Sequence, residues 1–535
     1  MVPKIAPGNK WATMLVIVIG TFMAILDGSI VNVALPKIMA VMGSTPDQIQ
    51  WVLTSYMLTL GVIMPITGFL GDRFGTKKMY LLALGLFTFG SALCGMAWST
   101  ASLVAARVLQ GLGGGILTPL GMAIIFKSFD RSQIGTALGI WGIASMAAPA
   151  VGPTLGGYIV EYSNWRLIFI INLPIGILNL FLGALLLKES PLVRGHRFDY
   201  VGLITAMGGF SLLLYAISNG AKKGWTSPLI VSLLSLAFIL LAVLVINELF
   251  HPEPVLDFRL FKNFTFSLSV VIGSIAAMGM FGALFLLPLF LQTLSGLSAL
   301  QVGILLFPAA IASGLAMPIS GALFDRFGPR LIVPAGLATV AITTYWLSKL
   351  TLLTPLGIIA LWMSIRGIGL GFSMMPANTA GMNTVPPHLV NRASALSNVI
   401  RQVAASLGIA MFTTVMQQRQ VFHLHSYAAA VQLSSSAGTE LISKLQFALL
   451  NAGVSPLQST GVAVSALASL LAKQAMAQAI DDCFLIASLI IAAGIIPSLF
   501  LTDVRKKQKP VHQTGSHLSS SPSSSPKPVS QPVFE

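Results

Sequence analysis

Charge is what this sequence has least of. Asp, Glu, Lys and Arg make up 9% of its 535 residues and hydrophobic residues 55%, whereas soluble domains carry roughly 25% charged residues. That balance excludes an ordinary water-soluble fold. Cysteine is nearly absent. The two present, Cys94 and Cys483, lie within or at the edge of apolar blocks, so neither a disulfide framework nor a thiolate metal site is indicated. No glycine-rich loop ends in Lys and Ser/Thr, which argues against direct use of ATP. No catalytic constellation stands out, so an enzyme is not expected. The seven histidines fall outside the apolar blocks and offer no metal relay across a membrane. Acids are scarce beside bases, 16 against 31, for a net charge of +15. The bases are scattered over short loops and form no patch, so no nucleic-acid partner is implied.

What is present is a series of apolar blocks. Each is about 20 residues long, the length a helix needs to cross about 30 Å of hydrocarbon. Lipid offers no partners to open backbone groups, so helices are the expected element. The blocks fall near 11–33, 50–70, 78–98, 101–126, 137–160, 166–187, 199–218, 228–248, 265–291, 299–323, 330–349, 355–376, 392–416 and 482–502. The first is too long for a cleaved signal peptide and lacks an A-x-A site, so it reads as a retained span. Lys and Arg gather in GDRFGTKK (71–78), KESPLVRGHR (188–197), FDRFGPR (324–330) and VRKKQK (504–509). By the positive-inside rule these segments, and both termini, face the cytoplasm, which needs an even number of spans. Residues 417–480 then lie outside. Their small-residue periodicity, as in VAVSALASLLAKQAMAQAI (462–480), reads as amphipathic helices lying on the outer face, not as a fifteenth span. The tail 504–535, rich in Ser and Pro, lacks the apolar surface to fold.

The chain repeats itself. GFLGDRFGTKK (68–78) recurs as GALFDRFGPR (321–330), and LVAARVLQGLGGGIL (103–117) as LWMSIRGIGLGFSMM (361–375), with Arg366 matching Arg107. Two motifs repeated in one order indicate duplicated six-helix units of parallel type. The expected fold is all-α: two six-helix bundles, 1–190 and 263–503, around an inserted helix pair within 191–262. Such an architecture carries its site near the midplane between the halves and works by alternating access.

At these motifs the chain resembles the major facilitator superfamily, and within it the fourteen-span drug/proton antiporters of the EmrB/QacA type. LDGSIVNVALP (26–36), GFLGDRFGTKK, LVAARVLQGLGGG and APAVGPTLGG (148–157) carry the resemblance, supported by NWRLIFIINLPIG (164–176), LPLFLQTLSGLSALQVGILLFP (287–308) and ASALSNVIRQVAASLGIA (393–410). It covers nearly the whole chain from Trp11 to about Asp503. It implies export of a lipophilic compound or drug in exchange for protons, with the proton gradient as energy source and no cofactor. The expected surroundings are a bacterial inner membrane, with a periplasmic adaptor as a candidate partner at 417–480. Export of an endogenous lipid or metabolite, including flipping, is the alternative. Ser29 stands where the family usually has Thr. The absence of a deep acid in the second half argues against a polyvalent cationic substrate.

Asp27 is the only carboxylate expected well inside a span, where burial costs about 2.5–3.5 kcal/mol or more. It and Arg107 lie at similar depths in spans 1 and 4. An acid with a movable Arg partner can exchange its proton for an ion pair. The competing reading is a fixed pair, or Asp27 bonded to Ser29 or Asn32. Asn32, Gln110, Arg366, Asn398, Arg401 and Gln402 are candidates for the substrate cavity. Arg366 and Arg401 are equally well read as binding backbone carbonyls. Gly71, Asp72, Arg73 and Gly75, with Asp325 and Arg326 in the repeat, are the candidate conformational switch. The resemblance implies that Asp72 docks near Asn391 and Arg392 at the start of span 13, where a helix dipole favours negative charge. Gly142, Pro149, Gly152, Pro153, Gly156 and Gly157 crowd span 5. Close helix packing explains them, and the resemblance adds a role in antiport.

Overall fold

The structure, a computed structural model, describes residues 10–130, 133–190, 199–252, 254–430, 436–451 and 455–502. The tail 504–535 and the basic stretch 191–198 lie outside the described residues. Among the described residues, fourteen helices are long and apolar enough to cross a membrane. The first six spans are α1 (Lys10–Met42), α2 with α3 (Pro46–Ile63, Thr67–Phe74), α4 (Thr76–Gly95), α5 (Thr100–Ser128), α6 (Ile134–Tyr162) and α7 with α8 (Leu167–Ile170, Asn172–Leu186). An inserted pair follows, α9 (Tyr200–Lys223) and α10 (Pro228–Phe250). The remaining six are α11 (Phe264–Thr293), α12 (Ala299–Phe327), α13 (Pro329–Leu347), α14 (Leu356–Met382), α15 (Val390–Ala430) and α17 (Pro456–Ala493). Short helices α16 (Ser436–Asn451) and α18 (Ile495–Ser498) flank α17. We call the side on which α1 begins the near side and the opposite one the far side.

Local chemistry sets the helix ends. Thr45, Ser99 and Ser298 each start a helix with a reciprocal capping box, their side chains accepting from the backbone of Gln48, Ser102 and Gln301, which satisfies donors that a helix start leaves open. Both DRFG repeats stop at a glycine with positive φ, Gly75 at 95° and Gly328 at 80°. A side chain is disfavoured there, so the repeated glycine lets two helices meet at a sharp corner on the near side.

Small residues allow the two halves to meet closely. Along α6 and α12, a Cβ added at Gly321 would lie 2.3 Å from the Gly135 carbonyl oxygen, and one at Gly139 would lie 2.7 Å from Pro318 Cα. Such separations require bare backbones, as in membrane helix pairs built on small residues. The inserted pair lies beside the other seam. Trp51 stacks on Tyr215 at 6.0 Å, and Trp225 Nε1 donates to Thr414 Oγ1 at 2.8 Å. The most apolar window of α10, mean hydropathy 3.2, is only 17% buried. Its remaining surface is the apolar coat that lipid requires.

The segment 417–480 differs from expectation. Much of it continues two spans: α15 runs on to Ala430, and α17 is one helix from Pro456. At 1.5 Å per residue these helices are about 60 Å long, twice the hydrocarbon thickness. No proline or glycine interrupts either helix near the expected span end, so the helical backbone simply continues. Arg419 Nε and His423 Nε2 both reach Asp482 Oδ2, at 2.6 and 2.7 Å, tying the two extensions together. Other acids lie on the helices too: Glu248, near the end of α10, is fully buried, and Asp481 and Asp482 lie on the long helix α17. His423 lies on the part of α15 that continues past the expected span end at 416.

Candidate functional site: a buried ion pair and a near-side gate

The first half encloses an Asp–Arg pair. Asp27 on α1 and Arg107 on α5 both have zero exposure, and Arg107 Nη1 binds Asp27 Oδ2 directly. Asp27 Oδ1 accepts from Gln110 Nε2 at 2.9 Å and from Asn172 Nδ2 at 3.2 Å. Arg107 Nε donates to the Val52 carbonyl at 3.1 Å, and Nη1 also donates to Gln110 Oε1 at 2.8 Å. The guanidinium lies 3.9 Å from the centre of the Tyr56 ring, whose hydroxyl donates to the Ala24 carbonyl at 2.9 Å. Ser91 Oγ accepts from both Gln110 Nε2 and Asn172 Nδ2 at 3.1 Å. Removing two charges from water costs several kcal/mol per ion, which good geometry and added hydrogen bonds offset. Arg107 Nη2 has no partner.

This geometry rearranges several expected roles. Ser29 donates to the Leu26 and Ala148 carbonyls, and Asn32 to that of Gly28, so neither binds Asp27. Gln110, a cavity candidate, is fully buried and part of the Asp27 network. Asn172, Ser91 and Tyr56 were missed. An amide inside NWRLIFIINLPIG was a usable signal for Asn172, since a lone polar residue in a lipid-facing span is costly unless it has a partner.

Among the described residues the second half has no such fully buried pair. Arg366 is 2% exposed; its Nη2 donates to the Gly279 carbonyl at 2.8 Å and its Nε to Thr344 Oγ1 at 3.2 Å. Arg366 is thus bonded to a backbone carbonyl and a hydroxyl in this conformation, the arrangement that its backbone-binding reading expects. Arg401 is half-buried and donates to Asn398 Oδ1 at 2.8 Å. Gln402 borders a cleft of about 140 Å³ between α2, α9 and α15, with Thr54, Met57, Leu214, Ser218 and Ser406. Drug-sized ligands generally occupy about 300–1,000 Å³, so the cleft is too small for one as it stands.

The near side is shut. Asp72 Oδ1 accepts from Asn391 Nδ2 at 2.5 Å, and its Oδ2 lies 3.6 Å from Arg392 Nε. This places a carboxylate of the first half at the N-terminus of α15, where the helix dipole favours it. The repeat does the same in reverse: a Cβ at Gly135, at the start of α6, would lie 2.9 Å from Asp325 Oδ1. Ser394 Oγ also donates across the halves to the Pro119 carbonyl at 2.8 Å. Gly71 backs the contact, since a Cβ there would come within 3.3 Å of Asn391 Nδ2. Arg73 lies over the rings of Phe69 and Phe74, and Arg326 over Phe327.

On α6 the small residues serve packing. Added Cβ atoms would meet Met317 at Gly142, Ser29 at Gly152, Ile30 at Gly156 and Leu300 at Gly157. The helix is thus clamped between α1 and α12, and Pro149 and Pro153 lie within it.

Fourteen apolar helices, an internal duplication, a charge pair buried in one half and a gate that closes one side define an integral membrane transporter. The chain belongs to the Major Facilitator Superfamily, which matches residues 17–409, and it is a transporter, not an enzyme. It is 39% identical over 502 residues to the uncharacterized MFS-type transporter YhcA of Bacillus subtilis, covering 93% of this chain and 94% of that one. It is 33% identical over 512 residues to the multidrug resistance protein B homolog of Mycobacterium tuberculosis, covering 94% and 91%. It is also 33% identical over 433 residues to the riboflavin transporter RibZ of Clostridioides difficile, covering 80% and 94%.

Proposed function

We propose that this chain exports a lipophilic compound or drug in exchange for protons, from a bacterial cytoplasmic membrane whose cytoplasm lies on the near side. The observation that carries the reading is the Asp27–Arg107 pair, sealed from solvent and joined to the buried amides of Gln110 and Asn172. An acid whose counter-ion can leave is able to hold either a proton or an ion pair. When the far side opens, a proton from outside neutralises Asp27 and frees Arg107. When the near side opens, the proton leaves to the cytoplasm and the ion pair re-forms. Asp72 and Asp325 hold the near side shut during the first of these states. The relative named for multidrug resistance supports a lipophilic substrate.

A second reading, export of an endogenous metabolite or lipid, is favoured by Arg401. Arg401 is partly buried on α15 and its Nη2 donates to the Asn398 amide, and its planar guanidinium carries further donors suited to an anionic or carbonyl group. The relative named as a riboflavin transporter agrees with that reading.

The test is transport by protein in liposomes containing a pH dye, with cationic, neutral and anionic lipophiles added in turn. Wild type should move protons in response to one class, and Asp27→Asn, which copies the protonated acid, should lose that response while still binding substrate. Proton-linked export at the wild-type rate in Asp27→Asn would overturn the proposal. A response confined to anions would select the second reading.

A further inference from the structure

The second inserted helix ends in a buried acid that the transport cycle above does not use. Glu248 on α10 has zero exposure, and neither of its carboxyl oxygens completes a hydrogen bond. Gly202 on α9 packs against it so closely that a Cβ there would lie 2.7 Å from Oε1. The amides of Leu256 and Val255, in the turn after α10, lean toward it. Two charged groups act on it from neighbouring elements: Asp199 at the start of α9 and Arg392 at the start of α15. Asp199 is engaged elsewhere, its Oδ2 accepting from Asn247 Nδ2 and its Oδ1 from the Gly202 N–H, both at 2.7 Å. Arg259, on the same turn, is committed to the carbonyls of Leu249 and His251 at 2.9 and 2.8 Å, and Asp257 accepts from the Arg259 N–H. Leu244, Leu256, Phe266 and Val390 close an apolar core around this end of the pair. A carboxylate sealed there with another acid beside it is costly, whereas a neutral carboxylic acid is not.

Arg392 links this acid to the gate. Its Nε stands 3.6 Å from Asp72 Oδ2 and forms no hydrogen bond. We propose that Glu248 is a second proton-binding site, coupled to the near-side gate through Arg392. With the gate shut it carries a proton. As α15 swings away, water enters, the carboxylic O–H bond breaks, and the proton passes to the near side. The new carboxylate then competes with Asp72 for Arg392 and favours the open gate; taking up a proton again lets it close. The inserted pair thereby acquires a role in the cycle, and the inference rests on the alternating-access reading above.

The test uses the full chain in lipid nanodiscs, with Cys94 and Cys483 replaced by Ala and Asp27→Asn to silence the first proton site. Spin labels go on Lys78→Cys and His388→Cys, exposed near-side positions in the two halves, and pulsed electron resonance gives their distance between pH 5 and 9. The open, long-distance population should grow at least fivefold as pH rises. Glu248→Gln should abolish that growth and keep the gate shut, and Glu248→Asp should restore it. Persistence of the growth in Glu248→Gln, or its absence in Glu248→Asp, overturns the site. A pH-independent distance in every variant, while protein with native Asp27 still exports against protons, overturns the Glu248 site and leaves the transport reading intact. A Glu248-dependent step in a protein with no proton-linked export sustains the site and rejects that reading.

Discussion

Arg366 stands in the second half where Arg107 stands in the first, yet its Nη2 reaches only the carbonyl of Gly279, at 2.8 Å, while Arg107 binds the carboxylate of Asp27. Duplication kept the cation and its burial, and the acid survives on one side only. Among the described residues a buried acid–guanidinium pair at this depth is therefore confined to the first half, and Arg366 is held by backbone and hydroxyl oxygens.

This difference makes Arg366 a stability residue. Arg366→Ala is expected to cost about 2–4 kcal/mol, because it opens a cavity and strands the Gly279 carbonyl. Arg366→Met, which keeps most of the volume and removes the buried charge but strands the same carbonyl, is expected to cost less, about 1–2 kcal/mol. Thermal melting in detergent measures both. Substrate affinity should stay within twofold of wild type in each; a selective loss of affinity with unchanged melting would return Arg366 to the cavity.

The seam between α6 and α12 yields a contrast between two glycines one turn apart. A Cβ at Gly139 would meet backbone, Pro318 Cα at 2.7 Å and the Met317 carbonyl oxygen at 2.8 Å, whereas one at Gly142 would meet the Met317 side chain. Backbone cannot step aside, but a methionine can adopt another rotamer. Gly139→Ala is expected to destabilise by about 1–3 kcal/mol and Gly142→Ala by less than about 1 kcal/mol. Equal melting temperatures for the two variants would show that the seam is looser than these contacts indicate.

How much of this was legible in the sequence follows from which interactions are local. Spans are legible because lipid demands a continuous apolar run, so thirteen of the fourteen blocks need only their ends adjusted by a few residues or turns. The exception, α17, is read short because Gln474, Asp481 and Asp482 interrupt the hydropathy of a helix whose Asp482 is met by Arg419 and His423 of α15. Asp27 and Arg107 are legible because a charge in an apolar run marks them, and the docking of Asp72 near Asn391 is legible only through the resemblance. Gln110 and Glu248 are not. Whether an amide lines a cavity or clasps an acid depends on helix rotation, and whether an acid at a span end is hydrated depends on what the inserted pair packs against. Neither property is written in residue spacing.

The far-side extension carries the topology. Leu450 on α16 is 43% exposed and lies between two helices about 60 Å long that leave the membrane on one side. If fourteen spans and a cytoplasmic near side are correct, Leu450→Cys should react with an impermeant thiol reagent in intact cells. The native Cys94 and Cys483, both fully buried, should remain silent. The polar triad Arg419, His423 and Asp482 supplies an internal control, since its cost in lipid places that level at the membrane surface or beyond. A cysteine at the exposed Phe422 should therefore label from the same side, though more slowly than one at 450. Labelling of either position only after the membrane is opened would mean that α15 and α17 cross in the opposite sense, and would reverse the assignment of the Asp72 gate to the cytoplasm.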